Sequence, residues 1–213
     1  PSHFAEESQF HINLLRANVK YVVRISTTHA NVKPDNFAYY ARSHWAIEQM
    51  LSQKPFDKLH WTSLQPNLFL RFALASAIDF IQEMRNSGQQ GILSLPLTKD
   101  IPIGVVDCFE VGVLAAKLLL GQDSSQYNKA KLVVNGPQDI TGQTIVDLVE
   151  EELDAKLEHP VSFDDMSFVE KMAANATQKN LILSFKTAQD ATKAGLCTVA
   201  TTIEEALRIA PPK

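Results

Sequence analysis

Short runs of apolar, β-branched residues alternate along this chain with longer segments in which apolar residues recur every three or four positions. The runs are typical of buried strands and the longer segments of amphipathic helices. The alternation predicts an α/β architecture with a parallel sheet. The predicted strands are 19–25, 59–64, 91–96, 131–135 and 161–163, with a further extended piece at 103–106, and the predicted helices are 4–18, 35–53, 68–85, 107–121 and 141–153.

Capping and turn residues mark the ends of the predicted helices. Asp35 or Asn36 is expected to cap the second helix, and Asp107 and Thr141 to cap two later ones. The turn at Gly88 ends helix 68–85. Beyond the turn at 135–141 the pattern becomes mostly helical, which predicts a sheet-bearing region, 1–135, and a smaller C-terminal region, 136–213. The residues expected to be buried in the latter are Phe168, Met172, Leu181, Leu183 and Phe185.

Composition narrows the functional classes. Of the 213 residues 45% are hydrophobic and 21% charged, as in an ordinary globular protein, and the net charge of -4 comes without a basic cluster. A nucleic-acid partner is therefore not expected. Cys108 and Cys197 are far apart and in no metal-binding spacing, which favours a reducing, cytoplasmic location. No apolar stretch approaches the length of a membrane span, so no membrane association is expected.

The order strand, Ser/Thr loop, helix, strand, Pro-Asn loop runs from residue 22 to residue 69 and is typical of the second half of a dinucleotide-binding sheet. The glycine-rich turn of such a sheet does not precede it, because the first glycine of the chain is Gly88. We therefore expect that Pro1 is not the natural start and that a βαβ half of about 100 residues normally precedes it. We also expect the chain alone to bind a dinucleotide weakly or not at all.

Two strand ends are candidates for a binding site, because ligands of open α/β sheets bind outside the carboxyl ends of the strands. Ser26 and Thr27 follow the first strand, and Pro66 and Asn67 follow the second. Carboxyl ends of parallel strands share one edge of the sheet. These four residues are therefore predicted to contact a cofactor.

The helix between those strands carries Tyr40 and His44, one turn apart and on the same face. Phe69, just beyond the second strand, would form an apolar wall for a flat substrate. These three residues, with Ser26 and the Pro-Asn loop, are predicted to line one cleft. Structural interpretations stay open: Tyr40 as a packing tyrosine, and His44 with Glu48 as a surface pair worth roughly a few tenths of a kcal/mol. No metal is expected, since no further ligand is suggested.

Short-chain dehydrogenases carry Tyr-x-x-x-Lys on this helix, and here the pattern is Tyr40-x-x-x-His44. The longer pattern resembles the atypical NmrA-like branch of that family, in particular the members similar to NAD(P)H:quinone reductases. The motifs that carry the resemblance are His44-x-x-x-Glu48, Trp61-Thr62-x-x-x-Pro66-Asn67-x-Phe69, Val106-Asp107-x-x-Glu110-Val111-Gly112 and Val134-x-Gly136-Pro137-x-x-Ile140-Thr141.

The resemblance implies a doubly wound, Rossmann-like parallel sheet with a smaller substrate-facing region, and NADP or NAD as cofactor of the intact protein. It implies a reductase of quinone or carbonyl compounds, in which Tyr40 or ordered water supplies the proton and His44 replaces the usual Lys. The influence of His44 is then expected to depend on pH near its own titration. The alternative is a redox sensor, which binds dinucleotide without turnover and signals to a protein partner.

Overall fold

The computed structural model of this chain describes residues 3–121, 123–174 and 176–212. Pro1, to which the expectation of a preceding segment refers, lies outside these ranges. The strands are Tyr21–Ile25 (β1), His60–Pro66 (β2), Leu68–Phe69 (β3), Ile103–Val106 (β4), Ala130–Val134 (β5) and Asp139–Ile140 (β6). The α-helices are His3–Arg16 (α1), Tyr39–Leu51 (α2), Leu70–Ser87 (α3), Cys108–Leu120 (α4), Gly142–Leu153 (α5), Ser167–Ala174 (α6), Lys179–Leu183 (α7), Gln189–Lys193 (α8) and Glu204–Ile209 (α9).

The main sheet is parallel, with the strand order β1-β2-β5. Side chains alternate along its central strand, β2, so that Trp61 and Leu64 face opposite sides. Trp61 packs with Ile47 of α2 in a cluster that α1 completes. Leu64 packs on the other side with Leu114 of α4, beside α9. Helices therefore cover both faces, which confirms the doubly wound α/β arrangement.

A smaller sheet continues from the end of β2. After Asn67 the chain enters β3, which pairs in parallel with β4, and β4 pairs antiparallel with β6. Helices α3 and α5 pack against each other beside it, around a third apolar cluster that includes Ala77 and Ile145. The small sheet thus lies next to the carboxyl end of β2, where the sequence places its candidate site.

Two predicted strands, 91–96 and 161–163, are not formed. Their only ladder contact in the described chain is a single parallel bridge between Ser94 and Ser162. Pro96 has no N–H group with which to extend a ladder, and the chain bends there. The two segments therefore pair at one position only and are otherwise irregular. Pro96, at the end of the first segment, lines the cavity described below.

The two predicted helix caps whose residues immediately precede a helix, Asp107 and Thr141, are confirmed. The Asp107 carboxylate accepts a hydrogen bond from the N–H of Phe109 at 2.8 Å, and Thr141 caps α5. The expected cap of α2 is wrong: that helix begins after Ala38, and the Asn36 side chain instead closes a turn by accepting from the Ala38 N–H at 2.7 Å. Within the described ranges, no helix combines the length and hydropathy that crossing a bilayer requires.

None of the five C-terminal residues expected to be buried is fully so. Four of them, Phe168, Leu181, Leu183 and Phe185, are partly buried. Met172 is 48% exposed, although its apolar side chain predicted burial. Helix α6 instead turns Val169 and Ala173, one helical turn apart, toward the interior. In a helix of eight residues, the single face that meets the core has room for few side chains.

Candidate functional site

A cavity of about 450 Å³ lies beside the carboxyl ends of β1 and β2. Thr28, from the loop after β1, and Asn67, just after β2, line one side of it. Residues between 164 and 193 close the other side. The position agrees with the general rule for ligand sites in open α/β sheets. The volume is that of a small-molecule site.

Five aromatic side chains contribute to the cavity wall. The rings of Tyr40 and Phe185 meet edge to face, with their centroids 4.9 Å apart. Those of Phe72 and Phe168 meet in the same way at 5.3 Å. Phe69 also lines the cavity. Such a wall favours a flat, largely apolar ligand over an extended polar one.

Tyr40 lies in the first turn of α2, and its ring reaches the cavity. Burial raises the pKa of its phenol, and a hydrogen bond with Thr27 offsets part of that rise. The phenol therefore carries its proton at neutral pH. In that state Tyr40 is suited to donate a proton or a hydrogen bond, and not to act as a base.

Asn67 is held on both sides by the protein. Its side-chain oxygen accepts from the Thr28 hydroxyl at 3.1 Å, and its amide nitrogen donates to the backbone carbonyl of Cys197 at 2.6 Å. A similar bond at 3.0 Å joins the Asn31 amide to the carbonyl of Ala188. These contacts tie the strand-end loops to the C-terminal segments, so the two sides of the cavity are fixed relative to each other.

Ser26 and Pro66 lie at their strand ends as predicted, yet neither is among the residues lining the cavity. Ser26 is 7% exposed, and its hydroxyl oxygen has no hydrogen-bond partner among the described residues. Pro66 is paired in register with Val134 inside the sheet. Of the six residues predicted to line one cleft, three do so: Tyr40, Asn67 and Phe69.

His44 does not line the cavity, which corrects the expected cleft. It is buried beneath Tyr40, with ring centroids 6.4 Å apart, and its Nδ1 lies 2.8 Å from Nη2 of Arg24. Since a guanidinium only donates, Nδ1 accepts and the ring proton is on Nε2. Burial, aided by the Arg24 charge, lowers the pKa of His44 to about 3. Any pH dependence that originates at His44 in the folded chain is therefore expected in the acidic range.

The alternative interpretation of His44 and Glu48 as a surface pair is wrong, because Glu48 is fully buried. Its carboxylate accepts from the Ser63 hydroxyl at 2.7 Å and lies 3.0 Å from Nζ of Lys131. These bonds outweigh the effect of burial and lower the pKa of Glu48. Arg24 lies 3.4 Å from the same carboxylate, so Glu48 belongs to a polar network inside the sheet layer.

Arg24, on β1, is the centre of that network. Its guanidinium lies 2.7 Å from the Glu7 carboxylate of α1, and Nη1 donates to the Ser63 hydroxyl at 2.9 Å. Its contact with His44 adds α2 to the same network. The sequence offered one signal for this role, a charged residue inside an otherwise apolar, β-branched run. We call Arg24, Glu7, His44, Glu48 and Ser63 the Arg24 network.

Potential metal-ligand atoms of His3, Glu7 and His44 lie within 4.8 Å of one another. The lone pair on Nδ1 of His44 already accepts from Arg24, and the Arg24 guanidinium is also in contact with Glu7. A permanent cation inside the cluster repels a metal ion and satisfies the carboxylate in its place. The cluster is better explained by Arg24 than by a metal.

No family model and no curated protein matches this sequence. Solved structures do resemble its fold. The NADPH-dependent quinone oxidoreductase QOR2 of Escherichia coli, complexed with NADPH, aligns with a TM-score of 0.67 at 16% identity, over 98% of this chain and 69% of that one. The triphenylmethane reductase of Citrobacter sp., complexed with NADP(H), aligns with a TM-score of 0.66 at 15% identity, over 99% and 69%.

A nucleoside-diphosphate-sugar epimerase of Staphylococcus aureus also aligns, with a TM-score of 0.64 at 8% identity, over 97% of this chain and 66% of that one. This chain thus spans about two thirds of the length of the proteins it resembles. At such low identities the likeness concerns the backbone. The chain has the Rossmann-like α/β fold found in NADPH-dependent reductases.

Proposed function

We propose that this chain belongs to an NmrA-like, NAD(P)H-dependent reductase of quinone or carbonyl compounds. The observation that carries the proposal is the cavity at the strand ends, whose wall includes the side chain of Tyr40 with its protonated phenol. Aromatic walls accommodate flat rings, and a neutral phenol can donate to a carbonyl oxygen. In this proposal 1–135 carries the cofactor side and 136–213 supplies the opposite wall.

We propose that residues at the strand ends contact one end of a dinucleotide. Ser26 does not line the cavity, but its buried hydroxyl at the end of β1 has no partner among the described residues, and we assign it to a polar substituent of the nicotinamide ring. Thr27, Pro66 and Asn67 complete the proposed cofactor side. A pyrophosphate needs backbone N–H groups at a glycine-rich helix start. Helices α2 and α3, which follow β1 and the β2–β3 segment, begin instead after Ala38 and Phe69.

The proposed roles follow from these positions. A reduced nicotinamide supplies the hydride when it is bound. Tyr40 donates a proton to the substrate oxygen, with Thr27 orienting its hydroxyl. Phe69 forms part of the apolar wall. His44 acts through Tyr40, against which it packs, and is a positioning residue.

We expect the isolated chain to bind NADPH weakly. Because the proposed contacts involve only the nicotinamide end, NADPH and the reduced mononucleotide should bind with similar dissociation constants, in the high micromolar range or above. Calorimetric titration of both ligands measures this directly. A sub-micromolar dissociation constant for NADPH, or a large advantage of NADPH over the mononucleotide, contradicts the expectation.

The proposal is tested by turnover of NADPH, at millimolar concentration, with duroquinone. The four methyl groups of this quinone hinder addition of the exposed thiol of Cys108. Tyr40→Phe should lower turnover about 100-fold, since general acid catalysis typically contributes that much or more. Tyr39→Phe is the matched control, because Tyr39 lines a different cleft beside Arg42. Equal loss in both variants, or duroquinone binding without turnover in the unmodified chain, contradicts the proposed reductase.

A further inference from the structure

Two charged side chains, Asp164 and Lys193, face the cavity among aromatic, aliphatic and neutral polar residues. Nζ of Lys193 lies 3.3 Å from a carboxylate oxygen of Asp164. Opposite unit charges at that distance sum to zero and offset each other increasingly with distance, although each still acts on a group in direct contact with it. A ligand in the cavity therefore meets no net charge.

The backbone at Asp164 is held in an unusual conformation. Its φ of 56° is in the left-handed region, which Asp and Asn tolerate better than other non-glycine residues. The N–H of Asp164 donates to the carbonyl of Leu97 at 3.0 Å, and that of Asp165 to the carbonyl of Leu95 at 3.0 Å. The segment that holds these carbonyls thus fixes the position of Asp164 opposite Lys193.

The ion pair is weak, so a single substitution can change the net charge that a ligand meets in the cavity. The side chains of Lys193 and Asp164 are 45% and 41% exposed, and ion pairs this exposed typically contribute little to stability. An anionic ligand would compete with Asp164 for Lys193 and would be repelled by the carboxylate. A neutral ligand leaves the pair intact.

We propose that the Asp164–Lys193 pair determines ligand charge specificity, so that the cavity selects neutral flat aromatic compounds over anionic ones. The inference rests on the proposed function, whose substrate class it narrows to uncharged quinones and carbonyl compounds. Neutralising Asp164 releases Lys193 and converts the cavity into a site that accepts aromatic anions. Neutralising Lys193 releases Asp164 and favours aromatic cations.

The test compares binding of 2-naphthalenemethanol and 2-naphthalenesulfonate by calorimetry. The two probes share one ring system, differ in charge and need no cofactor. Asp164→Asn, which keeps a side chain suited to the left-handed backbone, should raise sulfonate affinity about three- to tenfold and change alcohol affinity less than twofold. Adding Lys193→Gln to that variant should abolish the gain. Lys193→Gln alone should lower sulfonate affinity and raise that of 2-naphthylmethylammonium.

Asp165→Asn is the matched control. Asp165 is the next residue, does not line the cavity, and caps the Ser167 N–H, a role that Asn can keep. It should leave the ratio of sulfonate to alcohol affinity unchanged. An unchanged ratio in Asp164→Asn, or an equal change in Asp165→Asn, overturns the specificity inference alone. Absence of any naphthalene binding overturns both this inference and the proposed aromatic site.

Discussion

Replacing Arg24 with Met is expected to lower the free energy of unfolding by roughly 3 kcal/mol or more. Removing one partner of a buried charge cluster leaves the others without compensation, which typically costs about 3 to 5 kcal/mol. Glu48 is fully buried and Glu7 largely so, and both carboxylates lie against this guanidinium. Urea denaturation at neutral pH measures the loss.

Two variants show whether that loss comes from uncompensated charge. Arg85→Met removes an exposed partner of Glu152, in a pair whose side chains are 59% and 57% exposed, and should cost less than about 1 kcal/mol. Glu48→Gln added to Arg24→Met should recover part of the stability, because the buried carboxylate is then neutral. If Arg24→Met and Arg85→Met are equally mild, the Arg24 network does not stabilise the fold.

The second large effect is acid sensitivity that originates at His44. Its pKa is about 3 in the folded chain and about 6.5 in an unfolded one. Between these values the unfolded state binds a proton that the folded state does not. Stability is therefore fully present above pH 6.5 and falls as the pH is lowered. From pH 7.5 to 4.5 the expected loss is about 2.5 kcal/mol, at about 1.4 kcal/mol per pKa unit.

Between pH 6.5 and 4.5 the effect of His44 on stability can be distinguished from that of the acidic groups. Glu7 and Glu48 have lowered pKa values in the folded chain, because hydrogen bonds and nearby cations outweigh the effect of burial. Their contribution is present above about pH 4.5 and is lost only below it. The slope of stability between pH 6.5 and 4.5 thus reports on His44 without a large carboxylate contribution.

His44→Gln is expected to flatten the pH dependence of unfolding over that window. The Gln side chain has a carbonyl oxygen that can accept from Arg24 and does not titrate. His159→Gln, at an exposed position, is the matched control and should retain the slope of the unmodified chain. Urea denaturation at pH 7.5, 6.5, 5.5 and 4.5 supplies the comparison. Parallel curves for His44→Gln and the unmodified chain would contradict a neutral, buried His44.

Local sequence features predicted much of the fold. The strands near 22, 61 and 132 were recognisable as β-branched or apolar runs, and Asp107 and Thr141 as helix caps. These features depend on neighbours within a few residues, which a sequence displays directly. The predicted strand at 91–96 failed because apolar runs are ambiguous, and strand formation requires a partner segment that pairs along its length.

Part of the candidate site was predictable for the same reason. Strand ends follow from strand positions, so the sequence alone points to Tyr40, Asn67 and Phe69, which line the cavity. The opposite wall was not, because Phe168 and Phe185 come from segments about 100 residues or more further along the chain. Their apolar character was visible in the sequence, but not which ring each would meet.

By itself the sequence determined the α/β class, the strand ends and the aromatic and phenolic side chains available near them. Only the tertiary structure decided the role of His44, which shares a helix face with Tyr40 yet contacts Arg24. It also decided the pairing of Asp164 with Lys193. The physical reason is that burial and charge pairing depend on contacts between distant segments, and these set the pKa and the hydrogen-bond partner of a side chain.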